Sequence, residues 1–308
     1  MPDKLSQSTA LHPDEALNVI AADGFLIRGD IWHGDGGPVV IIHSATGVQA
    51  GYYSRFANWL AGQGATVMTF DYRGIGQSRS KSAKDIQTGW IDWGVLDAEA
   101  VIAYAIRRWP DRPLTAVGHS IGGFALGLAE SSVHLKRIVT VGAQFAYWRD
   151  YAAVQKRFLF LKWHLLMPAL TRLLGYFPGK TLGWLEDLPH GVARDWSSMG
   201  PRFETSVTSL IDSDNLSMRH AATHAQLLAI SLTDDPFGTE AAVSRLLGYY
   251  RNVDQTHLRI APENVETTKI GHFAFFHSRF QRTLWPIAAE WLINGRLPHS
   301  APGSVISA

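Results

Sequence analysis

The sequence contains no cysteine. Disulfides, thiolate nucleophiles, Cys-ligated zinc and iron–sulfur clusters are therefore excluded. Net charge is almost absent too: 28 Lys and Arg stand against 27 Asp and Glu, leaving +1 over 308 residues. That balance gives no overall reason to expect nucleic acid as a partner. The most membrane-like stretch, Phe158 to Phe177, is interrupted by Lys162, His164, Pro168 and Arg172, which argues against a spanning helix. The N-terminal MPDKLSQSTALHPDEALNV lacks the uninterrupted apolar segment of a signal peptide, so a non-secreted, cytoplasmic protein is expected. The phosphate-cradling patterns GxGxxG and GxxxxGK[ST] are missing, because Gly74-Ile75-Gly76 runs on into Gln77-Ser78-Arg79; nothing points to a nucleotide. His220 and His224 are four apart, yet no HExxH pattern and no acidic third ligand accompany them. No metal and no cofactor are expected.

What is present is the composition of an ordinary globular chain, 46% hydrophobic and 18% charged, large enough to bury a sizeable core. Leu17 to Ala22 and Phe25 to Trp32 read as strands of a hairpin turning at Asp23-Gly24. Pro38 to His43 is apolar almost throughout, the pattern of a strand covered on both faces. From there strands and helices alternate. Tyr52 to Gln63 reads as helix and Thr66 to Phe70 as strand. Val95, Ala98, Ile102, Ile106 and Trp109 recur at helical spacing before Pro110. Leu114 to Val117, Ile138 to Val141, Leu227 to Leu232 and His257 to Ile260 read as further strands. Ile121 to Glu130, Glu240 to Tyr250 and Ser278 to Ile293 read as helices. The alternation predicts an α/β fold with a predominantly parallel sheet, helices on both faces and an N-terminal antiparallel hairpin. Between Phe145 and His224 no clear strand is legible, so residues 145–224 read as a mainly helical cap or lid inserted into a core of 1–144 and 225–296. The small, polar tail 297–308 is expected to fray.

Gly118-His119-Ser120-Ile121-Gly122 matches GxSxG where a strand gives way to a helix, the setting of a nucleophile elbow. Glycines flanking the serine remove β-carbons from a crowded turn. The start of the following helix offers free N–H groups, so Ile121 N–H is placed for an oxyanion formed on a carbonyl attacked by Ser120. A serine needs a base and the base an orienting carboxylate. Asp235, in SLTDDPFGT, follows a strand, and His272, in KIGHFAFFH, precedes the last helix. The chain order Ser, Asp, His is that of α/β-hydrolases.

HSATGV (His43 to Val48), DYRGIGQSR (Asp71 to Arg79), GHSIGG (Gly118 to Gly123), DDPF (Asp234 to Phe237) and IGHFAFF (Ile270 to Phe276) occur in this order. Together they make the chain resemble an α/β-hydrolase-fold serine hydrolase, in particular the bacterial group related to serine aminopeptidase-like and monoglyceride-lipase-like enzymes. The resemblance implies that HSATG is the oxyanion loop, with Ala45 N–H as second donor, and that Ser44 departs from the usual glycine. It favours Asp235 over Asp234 as the triad acid, with Asp150 as a remote third candidate. It reads Asp71 and Arg73 as a fold-stabilising pair, and the bland reading of His43 and His119 is packing. Between Phe145 and Lys180 six basic residues, Arg149, Lys156, Arg157, Lys162, Arg172 and Lys180, face one acid, Asp150. Solvated charge over a hydrophobic underside is favoured there over contact with a membrane surface. The resulting expectation is a cofactor-independent serine hydrolase acting on a small-molecule carboxylic ester with a hydrophobic acyl or aromatic group. An acyltransferase, an amidase or peptidase on the same triad, or a non-catalytic binding module of the same fold are the alternatives, and the oligomeric state is left open.

Overall fold

The computed structural model describes residues 11–207 and 213–306. The start of the N-terminal stretch, residues 208–212 of the expected insertion and the last two residues of the expected frayed tail lie outside the described residues. β1 (Glu15–Ile20) and β2 (Leu26–Trp32) form the antiparallel hairpin about Asp23 and Gly24, the latter at φ +83°. β3 (Val39–His43), β4 (Thr66–Phe70) and β5 (Leu114–His119) are buried along their whole length, and β6 (Leu135–Val141) is buried from Ile138 onward. β7 (Tyr176–Phe177) and β8 (Leu188–Pro189) pair only with each other. β9 (Gln226–Leu232), β10 (Asp254–Ile260) and β11 (Ser304–Ile306) complete the main sheet.

That sheet has nine strands in the order β1-β2-β4-β3-β5-β6-β9-β10-β11. The run from β4 to β10 is parallel, and β1, β2 and β11 are antiparallel to their neighbours. This is the expected α/β architecture. Because side chains alternate across a strand, β3 feeds two cores. Val39 and Ile41 pack on the side of Val101, Ile102 and Ala105 from the helix Glu99–Arg108. Val40 and Ile42 pack with Phe56, Ala57 and Leu60 from Ser54–Ala61 and with Ile287 and Leu292 from Trp285–Asn294. Each such residue, fully buried, stabilises the fold by roughly 1.5–3 kcal/mol.

Three expectations change. First, the segment between β6 and β9 is mainly helical, with Lys156–Phe160, Met167–Leu174, His190–Ser198 and Ser213–Ala222, but β7 and β8 add a small sheet of two-residue strands too short to show a period in sequence. Its outer surface is not simply charged, because Phe158, Leu161, Leu165 and Leu173 are exposed beside the basic residues. Second, the last helix begins at Trp285, where Pro286 fits its first turn; Ser278–Phe280 is a separate 3-10 turn. Third, the tail does not fray at Ser304–Ile306. Gly303, at φ +94°, lets the chain lie so close to β10 that a Cβ there would fall 2.2 Å from the Arg259 carbonyl oxygen. Among the described residues no helix is long and apolar enough to cross a membrane.

The junction after β5 is the tightest packing that bears on the site. A Cβ on Gly122 would lie 2.2 Å from the His43 carbonyl oxygen, and one on Gly118 would lie 2.5 Å from the Gly123 Cα. These glycines serve close approach of backbones; none of the three has positive φ. Gly122→Ala must push the helix Ile121–Ala125 off β3, and an expected loss of about 3 kcal/mol or more can be read from urea unfolding. Gly51→Ala, where a Cβ meets nothing within 4 Å, is the control and should shift stability by less than about 1 kcal/mol.

Candidate active site

Ser120 sits between β5 and the helix Ile121–Ala125 with φ +55° and ψ −122°, a region that non-glycine residues occupy only when their surroundings enforce it. The enforcing contacts are backbone hydrogen bonds: Ser120 N donates to Val141 O at 3.0 Å, and Gly123 N donates to Ser120 O at 3.1 Å. The turn places Ser120, with Ile121 beside it, on the wall of a cavity of about 220 Å³.

His272 lines the same cavity. Its Nδ1 lies 2.7 Å from Asp235 Oδ2, and both side chains are buried. Burial alone would raise the Asp235 carboxyl, but the His272 ring and the N–H groups of Gly238 and Phe237 outweigh it and hold the group below the usual carboxylate range. An ionised carboxylate only accepts, so the hydrogen of this contact sits on His272 Nδ1 and Nε2 is the ring nitrogen turned away from Asp235. Phe237 N and Gly238 N donate to the other carboxylate oxygen at 2.8 and 2.9 Å. Asp234 is employed differently. Its Oδ2 accepts from Ile270 N at 2.8 Å and Gly271 N at 2.9 Å, pinning the loop that carries His272. Asp150 is paired with Arg245, whose Nη2 is 3.1 Å from Oδ1.

Ala45 also lines the cavity, but its N–H is not free. It donates to the Tyr53 hydroxyl at 3.0 Å, which corrects the expectation of a ready oxyanion donor there. Tyr53 is fully buried and bridges to His119 Nδ1 at 2.8 Å, while His119 Nε2 lies 2.8 Å from the His272 carbonyl oxygen. A carbonyl only accepts, so Nε2 carries the hydrogen. Burial pushes the His119 pKa down to about 3 and keeps the ring neutral, so Nδ1 accepts from Tyr53. The chain Ala45 N–H, Tyr53 O–H, His119 N–H, His272 C=O therefore has one direction and ties three segments together. His119 packs, as the bland reading has it, and also connects.

Gln144 was not singled out by sequence. Ala146 N donates to its Oε1, so its Nε2 is the atom that donates to Ser120 Oγ, at 3.3 Å. The available signal was its place beyond the carboxyl end of β6, where ligands of α/β sheets gather. His43 packs edge-on against Phe70, with centroids 5.2 Å apart. Asp71 and Arg73 do not pair with each other. Asp71 accepts from Ala50 N at 2.7 Å and Gln77 N at 2.8 Å; Arg73 holds Asp97 at 2.7 Å and Asp23 at 2.5 Å. His220 is buried, with Nε2 at 2.9 Å from the Phe124 carbonyl oxygen, while His224 is exposed. The remaining cavity wall is largely aromatic, with Trp90, Trp163, Trp184, Trp196, Phe237 and Phe273.

Tyr53→Phe would leave Ala45 N–H and His119 Nδ1 buried without partners, at about 1–3 kcal/mol per orphaned group. An expected loss of about 2 kcal/mol or more should appear in urea unfolding. Tyr52→Phe removes only a hydrogen bond from a partly exposed hydroxyl to Phe273 O and should lose less than about 1.5 kcal/mol.

The fold is shared with solved structures. A soluble variant of monoglyceride lipase from Saccharomyces cerevisiae, in complex with a substrate analog, superposes with TM-score 0.67 at 13% identity over 97% of this chain and 100% of that one. An esterase from Pyrococcus furiosus gives TM-score 0.59 at 14% identity, covering 94% and 95% of the two chains. A monoacylglycerol lipase from Paleococcus ferrophilus gives TM-score 0.58 at 15% identity, covering 88% and 99%. No curated protein sequence matches significantly. The family model described as "Serine aminopeptidase, S33" matches residues 36–203, from the turn before β3 to well past β8. Since that match spans more than half of the 308 residues, the chain belongs to the serine aminopeptidase S33 family of α/β-hydrolase-fold serine hydrolases.

Proposed function

We propose that the protein hydrolyses a carboxylic ester through Ser120, His272 and Asp235. The observation that carries this reading is the meeting of two independent features on one cavity wall: a serine in a strained elbow conformation, and a histidine whose Nδ1 is held 2.7 Å from a buried carboxylate. His272 Nε2 takes the Ser120 proton as Oγ bonds to the ester carbon. Ile121 N–H receives the developing oxyanion. When the tetrahedral intermediate collapses, His272 returns the proton to the departing alcohol and an acyl-enzyme remains; water, losing a proton to His272, then releases the acid and regenerates Ser120. Asp235 keeps the imidazole in the tautomer this requires. Gln144 Nε2 donates to Ser120 Oγ, which leaves the hydroxyl hydrogen free for His272.

The cavity's contents favour an ester over an aminopeptidase substrate. A free α-ammonium calls for a carboxylate to receive it, and the cavity-lining residues described include no Asp or Glu. Four tryptophans and two phenylalanines instead suit an aromatic or acyl group. A volume of about 220 Å³, below the roughly 300–1,000 Å³ of drug-sized ligand sites, suits a short one.

A fluorophosphonate probe should label the wild type and leave Ser120→Ala unlabelled; an unlabelled wild type overturns the nucleophile assignment. The two neighbouring acids separate in the same way. Asp235→Asn should lower kcat on a model ester by about 10³- to 10⁴-fold, since the amide favours the wrong imidazole tautomer. Asp234→Asn keeps a carbonyl oxygen for Ile270 and Gly271 and should stay within about tenfold of wild type.

A further inference from the structure

Lys162 is the unused charge of the cavity. Besides His272 it is the only ionisable side chain among the described lining residues. Its Nζ rests 3.8 Å from the ring centroid of Trp184 and 4.5 Å from that of Trp163. No carboxylate among the described residues lies within ion-pair distance of it, and none of its three N–H donors has a protein acceptor there. Indole faces hold a cation in place but supply no counter-charge. Partial burial works against the charged form and pushes its pKa down, a cost that a bound anion would relieve. Structural lysines elsewhere in the same segment are spent: Lys180 Nζ pairs with Glu186 at 3.0 Å, and Lys156 donates to Arg149 O at 2.6 Å. An uncompensated, half-buried ammonium on the wall of a largely aromatic cavity that also carries the nucleophile marks the position of a ligand's negative group.

We infer that Lys162 is a substrate-binding residue, and that the ester cleaved at Ser120 carries a carboxylate on another part of the same molecule, which Lys162 receives while the tryptophans enclose the apolar part between. The inference rests on the hydrolase reading above and narrows it to a substrate class. A carboxylate matches the single ammonium; a phosphate dianion would leave charge unanswered, since no second cation lines the cavity among the described residues.

The test compares esters that differ only in the carboxylate: the mono-4-nitrophenyl ester of adipic acid against 4-nitrophenyl hexanoate, and a benzoate ester of 4-hydroxybenzoate against phenyl benzoate. In at least one pair the carboxylate-bearing ester should have a KM about ten- to a hundredfold lower, the effect of one charge-assisted hydrogen bond. Lys162→Gln should collapse that ratio, Lys162→Arg should keep most of it, and Lys162→Glu should invert it toward an amine-bearing ester. A wild type that hydrolyses both members of each pair with equal KM overturns the inference and leaves the hydrolase reading standing. Binding decides the matter without turnover. The cavity tryptophans report occupancy by fluorescence, and the monoamide of adipic acid, which keeps one carboxylate, should bind the wild type at least tenfold more tightly than neutral hexanamide, with the difference lost in Lys162→Gln. If no ester is cleaved and no probe reacts, the hydrolase reading fails, and equal binding of the adipic acid monoamide and hexanamide would overturn the role of Lys162 as well.

Discussion

Everything in the candidate site hangs on a residue that carries a side chain where the backbone favours none. Ser120 at φ +55° is tolerable because the chain on either side is locked: Val141 accepts from its N–H, Gly123 donates to its carbonyl, and Gly122 presses against His43. β5 lies between β3 and β6 in the sheet, so the elbow inherits the rigidity of the most thoroughly buried strands. The hydroxyl is thereby fixed by backbone packing and hydrogen bonds rather than by its own rotamer preferences alone, and those contacts hold the strained conformation in place.

Around this fixed point the loops are not independent. Tyr53 belongs to the helical segment after β3, His119 to the elbow and His272 to the loop before the last helix, yet one directed chain of hydrogen bonds links them. Polar groups buried in such a chain polarise one another and are costly to leave unpaired. The arrangement favours a single register among the loop after β3, the elbow and the loop that carries His272. Asp234 adds a second restraint by gripping the backbone of Ile270 and Gly271, so that the two adjacent acids divide the work of orienting the imidazole and holding its loop.

Much of this was legible in the residues. β3, β4 and β5 are buried on both faces, which favours largely apolar strands, and Ser120 stands at a strand-to-helix motif while Asp235 and His272 stand in loops between elements. Part of what was not legible depends on long separation. The His119 to His272 contact joins residues 153 apart and the Tyr53 to His119 contact residues 66 apart; no local pattern encodes either. The resemblance read Asp71 and Arg73 as one pair, but Asp71 is taken by the backbone N–H groups of Ala50 and Gln77 and Arg73 by Asp97, 24 residues on. At Ala45 the reason is local: its N–H is claimed by the hydroxyl of Tyr53, eight residues on, in a loop that carries no period. β7, β8 and β11 are two or three residues long and carry no period to read.

β11 has a consequence beyond the sheet it completes. Without it, β10 would be an outer strand seven residues long, presenting an open row of N–H and C=O groups, the kind of edge on which unrelated chains add strands and aggregate. His257, Leu258 and Arg259 are instead paired with Ile306, Val305 and Ser304, and the new outermost strand is too short to template another. Three residues held by one glycine turn thus act as a seal on a seven-residue edge.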